Sequence, residues 1–132
     1  MKSLKVWVKS VLGKSIDLNG MYGCQSPDIV NSWSRNLESC DFDGDAYNLT
    51  PTKRDWYKIT NMDVAPGDIV TVDKNNEMPF GNCGVVTDIN SAGVLTIVCN
   101  VNGVASYWKW RLSGVDTTYR NTKLYKFWDI KK

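Results

Sequence analysis

Ile16-Asp17-Leu18-Asn19-Gly20-Met21-Tyr22-Gly23-Cys24-Gln25-Ser26-Pro27-Asp28-Ile29-Val30-Asn31-Ser32-Trp33 is the stretch whose reading decides the fold. Its first half alternates Asx residues and glycine, the composition of a loop whose side chains bond their own backbone. Its second half starts a helix. Ser26 reads as the N-cap, Pro27 as the first helical residue, and Asp28 as an acid beside the positive end of the helix dipole. Ile29, Val30, Trp33 and Leu37 then recur at helical spacing, an apolar stripe that fades near Ser39.

Upstream, Leu4, Trp7, Val8 and Val11 predict a first helix over residues 3–12, with Gly13 as its stop. Lys2, Lys5 and Lys9 share its other face, which is expected to be solvated. Residues 40–64 are polar and predict a loop plus a short helix over 53–57; Asp41-Phe42-Asp43-Gly44-Asp45 reads as a turn. After Pro66-Gly67 the texture changes. Residues 68–72, 84–89, 94–101, 104–112 and 124–130 are rich in β-branched and aromatic side chains and predict five strands. Asn102-Gly103 is a two-residue hairpin signal, and Asn90-Ser91-Ala92-Gly93 a longer turn. Helices first and an antiparallel meander afterwards make an α+β domain.

At 132 residues the chain is one domain, 1–132, with room for a single core. A net charge of +2 and no basic run give no reason to expect a nucleic-acid partner. No apolar stretch is long enough for a bilayer span, and lysines interrupt the N-terminal apolar residues, so neither a membrane segment nor a secretory signal is predicted. The expected place of synthesis is a cytoplasm, with residence in a host cytoplasm or a virion. Cys24, Cys40, Cys83 and Cys99 stand singly, without Cys-x-x-Cys spacing, and are expected to be free and mostly buried. The chain contains no histidine.

Longer motifs add a resemblance. Gly13-Lys14-Ser15-Ile16-Asp17-Leu18-Asn19-Gly20-Met21-Tyr22-Gly23-Cys24-Gln25-Ser26-Pro27-Asp28 resembles the opening of the CHAP family, the cysteine, histidine-dependent amidohydrolases and peptidases. Pro66-Gly67-Asp68-Ile69-Val70, Pro79-Phe80-Gly81-Asn82-Cys83-Gly84-Val85-Val86 and Ile97-Val98-Cys99-Asn100 follow in the family's order and spacing. The resemblance implies a papain-like fold, with N-terminal helices packed on a five-stranded, antiparallel, partly closed β-sheet. It also places Ser26 where the family has its nucleophilic cysteine, Asn82 at the histidine and Val98 at the acid; Asn100 is retained.

Losing nucleophile, base and acid together implies a catalytically inactive member, since removing one already costs several orders of magnitude in rate. The groove left behind would be lined by Tyr22, Gln25, Ser26, Asn82 and Asn100, uncharged hydrogen-bonding groups suited to holding a peptide or sugar. The expected function is binding, in a phage-encoded protein, of a protein partner (a host factor it inhibits or a virion component) or of a peptidoglycan fragment. One alternative is a peptidoglycan hydrolase, amidase or endopeptidase, using non-standard residues such as Ser26 or Cys24 with a lysine base. Another is a structural tail or particle component.

Asp17, Asn19 and Asp28, with Gly20 between, have the spacing of a calcium loop, and some active relatives hold calcium there. The competing reading is an Asx-turn loop whose aspartates cap backbone amides, with no cofactor. On the 104–112 strand, alternation puts Trp108 and Trp110 on the core face and Tyr107, Lys109 and Arg111 on the other, where a glycan or protein could touch them.

Overall fold

In the computed structural model, which describes residues 1–18 and 25–123, both predicted helices form: α1 (Leu4–Val11) and α2 (Ser26–Asn36). The Ser3 hydroxyl caps α1 by accepting the Val6 N–H, and Leu4, Trp7, Val8 and Val11 are buried while Lys2, Lys5 and Lys9 are exposed. Gly13 turns the chain with φ of 77°, a left-handed conformation that favours glycine.

Helix α2 begins one residue out of the expected register. Gln25, not Ser26, is the N-cap, because the Asp28 carboxylate accepts the Gln25 N–H at 3.1 Å and fixes that residue outside the helix. Ser26 thereby becomes the first helical residue, and its hydroxyl is released from capping. Ile29, Val30, Trp33 and Leu37 are all fully buried, as the stripe requires. Trp33 donates its indole N–H to the Gly67 carbonyl at 2.9 Å, pinning the helix to the Pro-Gly turn.

The segment after α2 departs from expectation. Residues 53–57 do not form a helix. The chain instead lays down a small ladder of β1 (Phe42–Asp43) and β2 (Thr50–Pro51), with a 3-10 turn at Ala46–Asn48, and then β3 (Trp56–Ile59). Strand pairing overrides local preference here: Trp56 lies opposite Asn121 and Ile59 opposite Thr118, and Trp56 is buried. The Asp41 to Asp45 stretch, expected to be a turn, instead carries β1 at Phe42–Asp43 followed by a bend at Gly44, and Asp41 pairs with Arg35 at 2.9 Å.

The remaining strands are β4 (Ile69–Val72), β5 (Asn82–Ile89), β6 (Val94–Val101), β7 (Val104–Arg111) and β8 (Thr117–Asn121). They form one antiparallel sheet of six strands in the order β3-β8-β4-β5-β6-β7. The expected five-stranded, partly closed sheet is corrected on both counts. Among the described residues no pairing joins the edge strands β3 and β7, so the sheet is open. Two of its strands, β3 and β8, were not expected: β3 is only four residues long, and β8, Thr-Thr-Tyr-Arg-Asn, is mostly polar. The strand expected at 124–130 lies outside the described residues. The Asn102-Gly103 hairpin forms with both residues at positive φ, 52° and 88°.

The sheet is buried on both faces. Helices α1 and α2 cover one side, where Leu4, Trp7, Ile29, Val30, Trp33, Val85 and Val98 pack together. Behind it, Val70, Val86, Leu95, Ile97, Cys99 and Val115 form a second cluster. Trp108 and Trp110, expected in the core, are only partly buried against that cluster because their strand is the sheet's edge. Asp68 and Arg120 form a buried bidentate pair at 2.8 and 2.9 Å, and Arg120 also donates to the Asp63 carbonyl. This pair ties the turn before β4 to β8.

Candidate functional site

Three elements converge at the start of α2: the helix N-terminus, the first residue of β5 and the end of β6. Ser26 is buried, 8% exposed, and its Oγ makes two hydrogen bonds. It donates to Asn82 Oδ1 at 2.8 Å and accepts the backbone N–H of Asn100 at 3.1 Å. Asn82 Oδ1 also accepts the Cys83 N–H at 2.9 Å, which decides which way the amide faces, and its Nδ2 points to Cys99 Sγ at 3.7 Å. Since Asn100 supplies a donor to Oγ, the serine proton has Asn82 as its acceptor.

The other named positions sort as follows. Asn100 contributes its backbone to Ser26, while its side-chain Oδ1 is buried with no hydrogen-bond partner. Val98 lies opposite Val85 and is fully buried in the helix-side core, so a carboxylate there would be desolvated. Gln25 is exposed at the helix cap. Tyr22, Asn19 and Cys24 lie outside the described residues.

The Cys83 thiol is in the helix-side core and burial pushes its pKa far up, with the neighbouring Cys99 and Asp28 adding to the shift. Burial also pushes Cys99 up to about 11, against a smaller opposing effect of the Asn82 hydrogen bond. Neither is a thiolate at neutral pH, which removes both as nucleophiles. Sequence reasoning missed Cys99 as a neighbour of Asn82 and the Asn100 N–H as a donor to Ser26. The first was accessible from strand alternation; the second depends on where α2 docks.

The calcium spacing meets a competing use of the same oxygens. Asp28 Oδ2 holds the Gln25 N–H, and Oδ1 accepts the Leu18 N–H at 3.4 Å. Burial pushes the Asp28 carboxyl up, the two backbone bonds pull it down, and the Asp17 charge raises it again. Among the described residues no three carboxylates, thiols or imidazoles gather where they could hold a metal ion. The bonds from Asp28 to the Gln25 and Leu18 amides fit turn chemistry.

Neither a protein-family model nor a curated protein matches the sequence. Solved structures do match in fold. The crystal structure of wild-type endolysin LysIME-EF1 superposes with a TM-score of 0.70 at 21% identity, over 92% of this chain and 65% of that one. The fold is similar to that of an endolysin. The crystal structure of Ly7917 matches with a TM-score of 0.63 at 14% identity, over 91% of this chain and 63% of that one. The chain therefore spans a little under two thirds of the length of either. At these identities the likeness establishes the fold and leaves activity to the site itself. No helix among the described residues is long and apolar enough to cross a membrane.

Proposed function

We propose that this chain is a non-hydrolytic domain on a wall-hydrolase fold, which holds a peptidoglycan peptide or glycan segment at the Ser26 groove without cutting it. The observation that carries the reading is the Ser26 to Asn82 hydrogen bond. A serine hydroxyl attacks only when a neighbouring base takes its proton. Its acceptor here is an amide oxygen, which has almost no basicity in water, and the chain has no imidazole to substitute. Val98 offers nothing to orient a base.

Of the two ligand classes the sequence leaves open, a wall fragment is the one that likeness to an endolysin supports. The groove's uncharged donors and acceptors suit a ligand of amides and hydroxyls. The test is incubation with purified peptidoglycan. The expected result is co-sedimentation with the insoluble wall and no release of soluble fragments or new amino groups above buffer. Release of fragments would make it a hydrolase, and failure to sediment would remove the wall as ligand.

A further inference from the structure

The Asn102-Gly103 turn closes the β6–β7 hairpin, joining Val101 to its partner Val104 through two residues at φ of 52° and 88°. Both residues are exposed, and a side chain built on Gly103 would meet no atom within 4 Å. Among the described residues, none bonds the Asn102 side-chain amide or the Gly103 N–H. Other turn asparagines are held. Asn75 Oδ1 accepts the Glu77 and Met78 amides at 2.8 and 2.9 Å, and Asn90 Oδ1 accepts those of Ala92 and Val94 at 2.9 and 3.0 Å.

Positive φ at both central residues is the mark of a type I′ turn. In that turn a ψ of about +30° at the first central residue keeps the next backbone nitrogen on the far side of Cα from Cβ. A two-residue hairpin has a second favoured closure. Flipping the peptide between Asn102 and Gly103 gives a type II′ turn, with φ still positive at Asn102 and ψ near about −120°. Val101 and Val104 stay paired in either form, and Gly103, having no Cβ, accepts the change of sign in its φ. The flip breaks no backbone hydrogen bond of the described residues, because neither the Asn102 carbonyl nor the Gly103 N–H makes one. At a ψ of about −120° the Gly103 nitrogen eclipses the Asn102 Cβ and comes within bonding reach of Cγ.

We propose that Asn102 is a site of spontaneous covalent modification, where the backbone attacks the side chain and converts it to aspartate or isoaspartate. The Gly103 nitrogen gives its proton to solvent and bonds to Asn102 Cγ. The Cγ–Nδ2 bond breaks, ammonia leaves with a proton taken back from solvent, and a five-membered succinimide remains. Water then opens the ring, and the ring nitrogen regains its hydrogen. Addition at Cγ gives aspartate; addition at the main-chain carbonyl gives isoaspartate, with an extra carbon in the backbone. Water is the one co-reactant. Either product adds a negative charge to the hairpin tip. Isoaspartate also lengthens a loop whose register the Val101–Val104 pair fixes, close to the Asn100 N–H that bonds Ser26. The chemistry stands independently of the function proposed for the Ser26 groove.

The test ages the folded protein in mildly alkaline buffer and assigns mass changes to single residues by fragmentation mass spectrometry. Asn102 should gain about 1 Da as its amide becomes a carboxylate, and the same residue should accept a methyl group from an isoaspartyl methyltransferase. Asn75 and Asn90, whose side chains are held, should stay unchanged over the same period. The gain should speed up in proportion to hydroxide, since the attacking nitrogen must first lose its proton. Asn102→Gln, which would have to close a six-membered ring, should show no gain at that position. The chain's other Asn-Gly pair, Asn19-Gly20, is scored separately. Urea-unfolded protein serves as the control for the chemistry without the turn. No gain at Asn102 in the folded protein, or a gain no faster than at Asn75 and Asn90, overturns the proposal.

Discussion

The Ser26 hydroxyl points its proton at Asn82 Oδ1, 2.8 Å away, although 56 residues separate the two along the chain. A loop-to-helix junction and the first residue of a strand meet there because α2 packs across β5 and β6. Both partners of this bond are uncharged side chains, so the contact is a neutral hydrogen bond rather than an ion pair.

Replacing Ser26 alone with cysteine should therefore leave the protein without hydrolytic activity. The new thiol would face the same amide, with nothing to deprotonate it. Adding Asn82→His supplies a base, and the orphaned Asn100 Oδ1 is an acceptor available to orient its second N–H. General-base catalysis is worth about 10²–10⁴-fold. Fragment release from peptidoglycan should rise above background in Ser26→Cys with Asn82→His, or in that pair with Val98→Glu, and not in Ser26→Cys.

Ser26→Ala removes a hydroxyl that serves two partners. Asn82 Oδ1 keeps the Cys83 N–H, but the Asn100 N–H loses its acceptor. The expected cost is about 1–3 kcal/mol, the desolvation penalty of a bare buried donor. Denaturant unfolding should show a lower midpoint at unchanged slope; Ser26→Thr, which keeps the oxygen, should recover part of the loss.

Breaking the Asp68–Arg120 pair from one side should cost more. Arg120→Met leaves a fully buried carboxylate with only the Ala65 N–H, and such uncompensated charges cost about 3–5 kcal/mol. Combining it with Asp68→Asn should restore part of that stability. Urea midpoints of the two variants, compared at one pH, check the order.

The buried thiols give the protein an alkaline limit. Cys99 titrates near 11 in the folded state, and Cys83 is likewise raised, against about 8.5 for a solvated thiol. Their contribution to stability is intact below the unfolded value and is lost as pH rises toward the folded one, because the unfolded chain releases those protons first. Melting temperature should fall steadily from pH 9 to pH 11, less so in Cys99→Ala. Alkylation at pH 8 should modify half-buried Cys40 before Cys83 and Cys99.

Calcium should leave the melting temperature unchanged. Both Asp28 oxygens already serve backbone amides, at Gln25 and Leu18. An ion that bound only the folded state would add about 1.4 kcal/mol at tenfold over its dissociation constant, several degrees for a domain of this size. A rise in millimolar calcium that a chelator reverses, and that Asp17→Ala with Asp28→Ala abolishes, would reassign the loop to ion binding.

Both helices, the β5–β6–β7 meander and its Asn-Gly hairpin were legible in the sequence, because each depends on periodicity or turn chemistry within a few residues. So was the absence of histidine, which is a matter of composition. Strands β3 and β8 were not legible: Trp56 and Asn121 acquire strand geometry from one another across more than 60 residues. The N-cap of α2 shifted from Ser26 to Gln25 for a similar reason, since two adjacent polar residues compete for the cap and Asp28 decides between them. Only the tertiary structure could bring the freed Ser26 hydroxyl to Asn82 and Asn100 and seal the two thiols. Local pattern dictates which way a backbone prefers to bend; which side chains meet is decided by how α2 and the strands pack, and the energy of that packing belongs to no single segment.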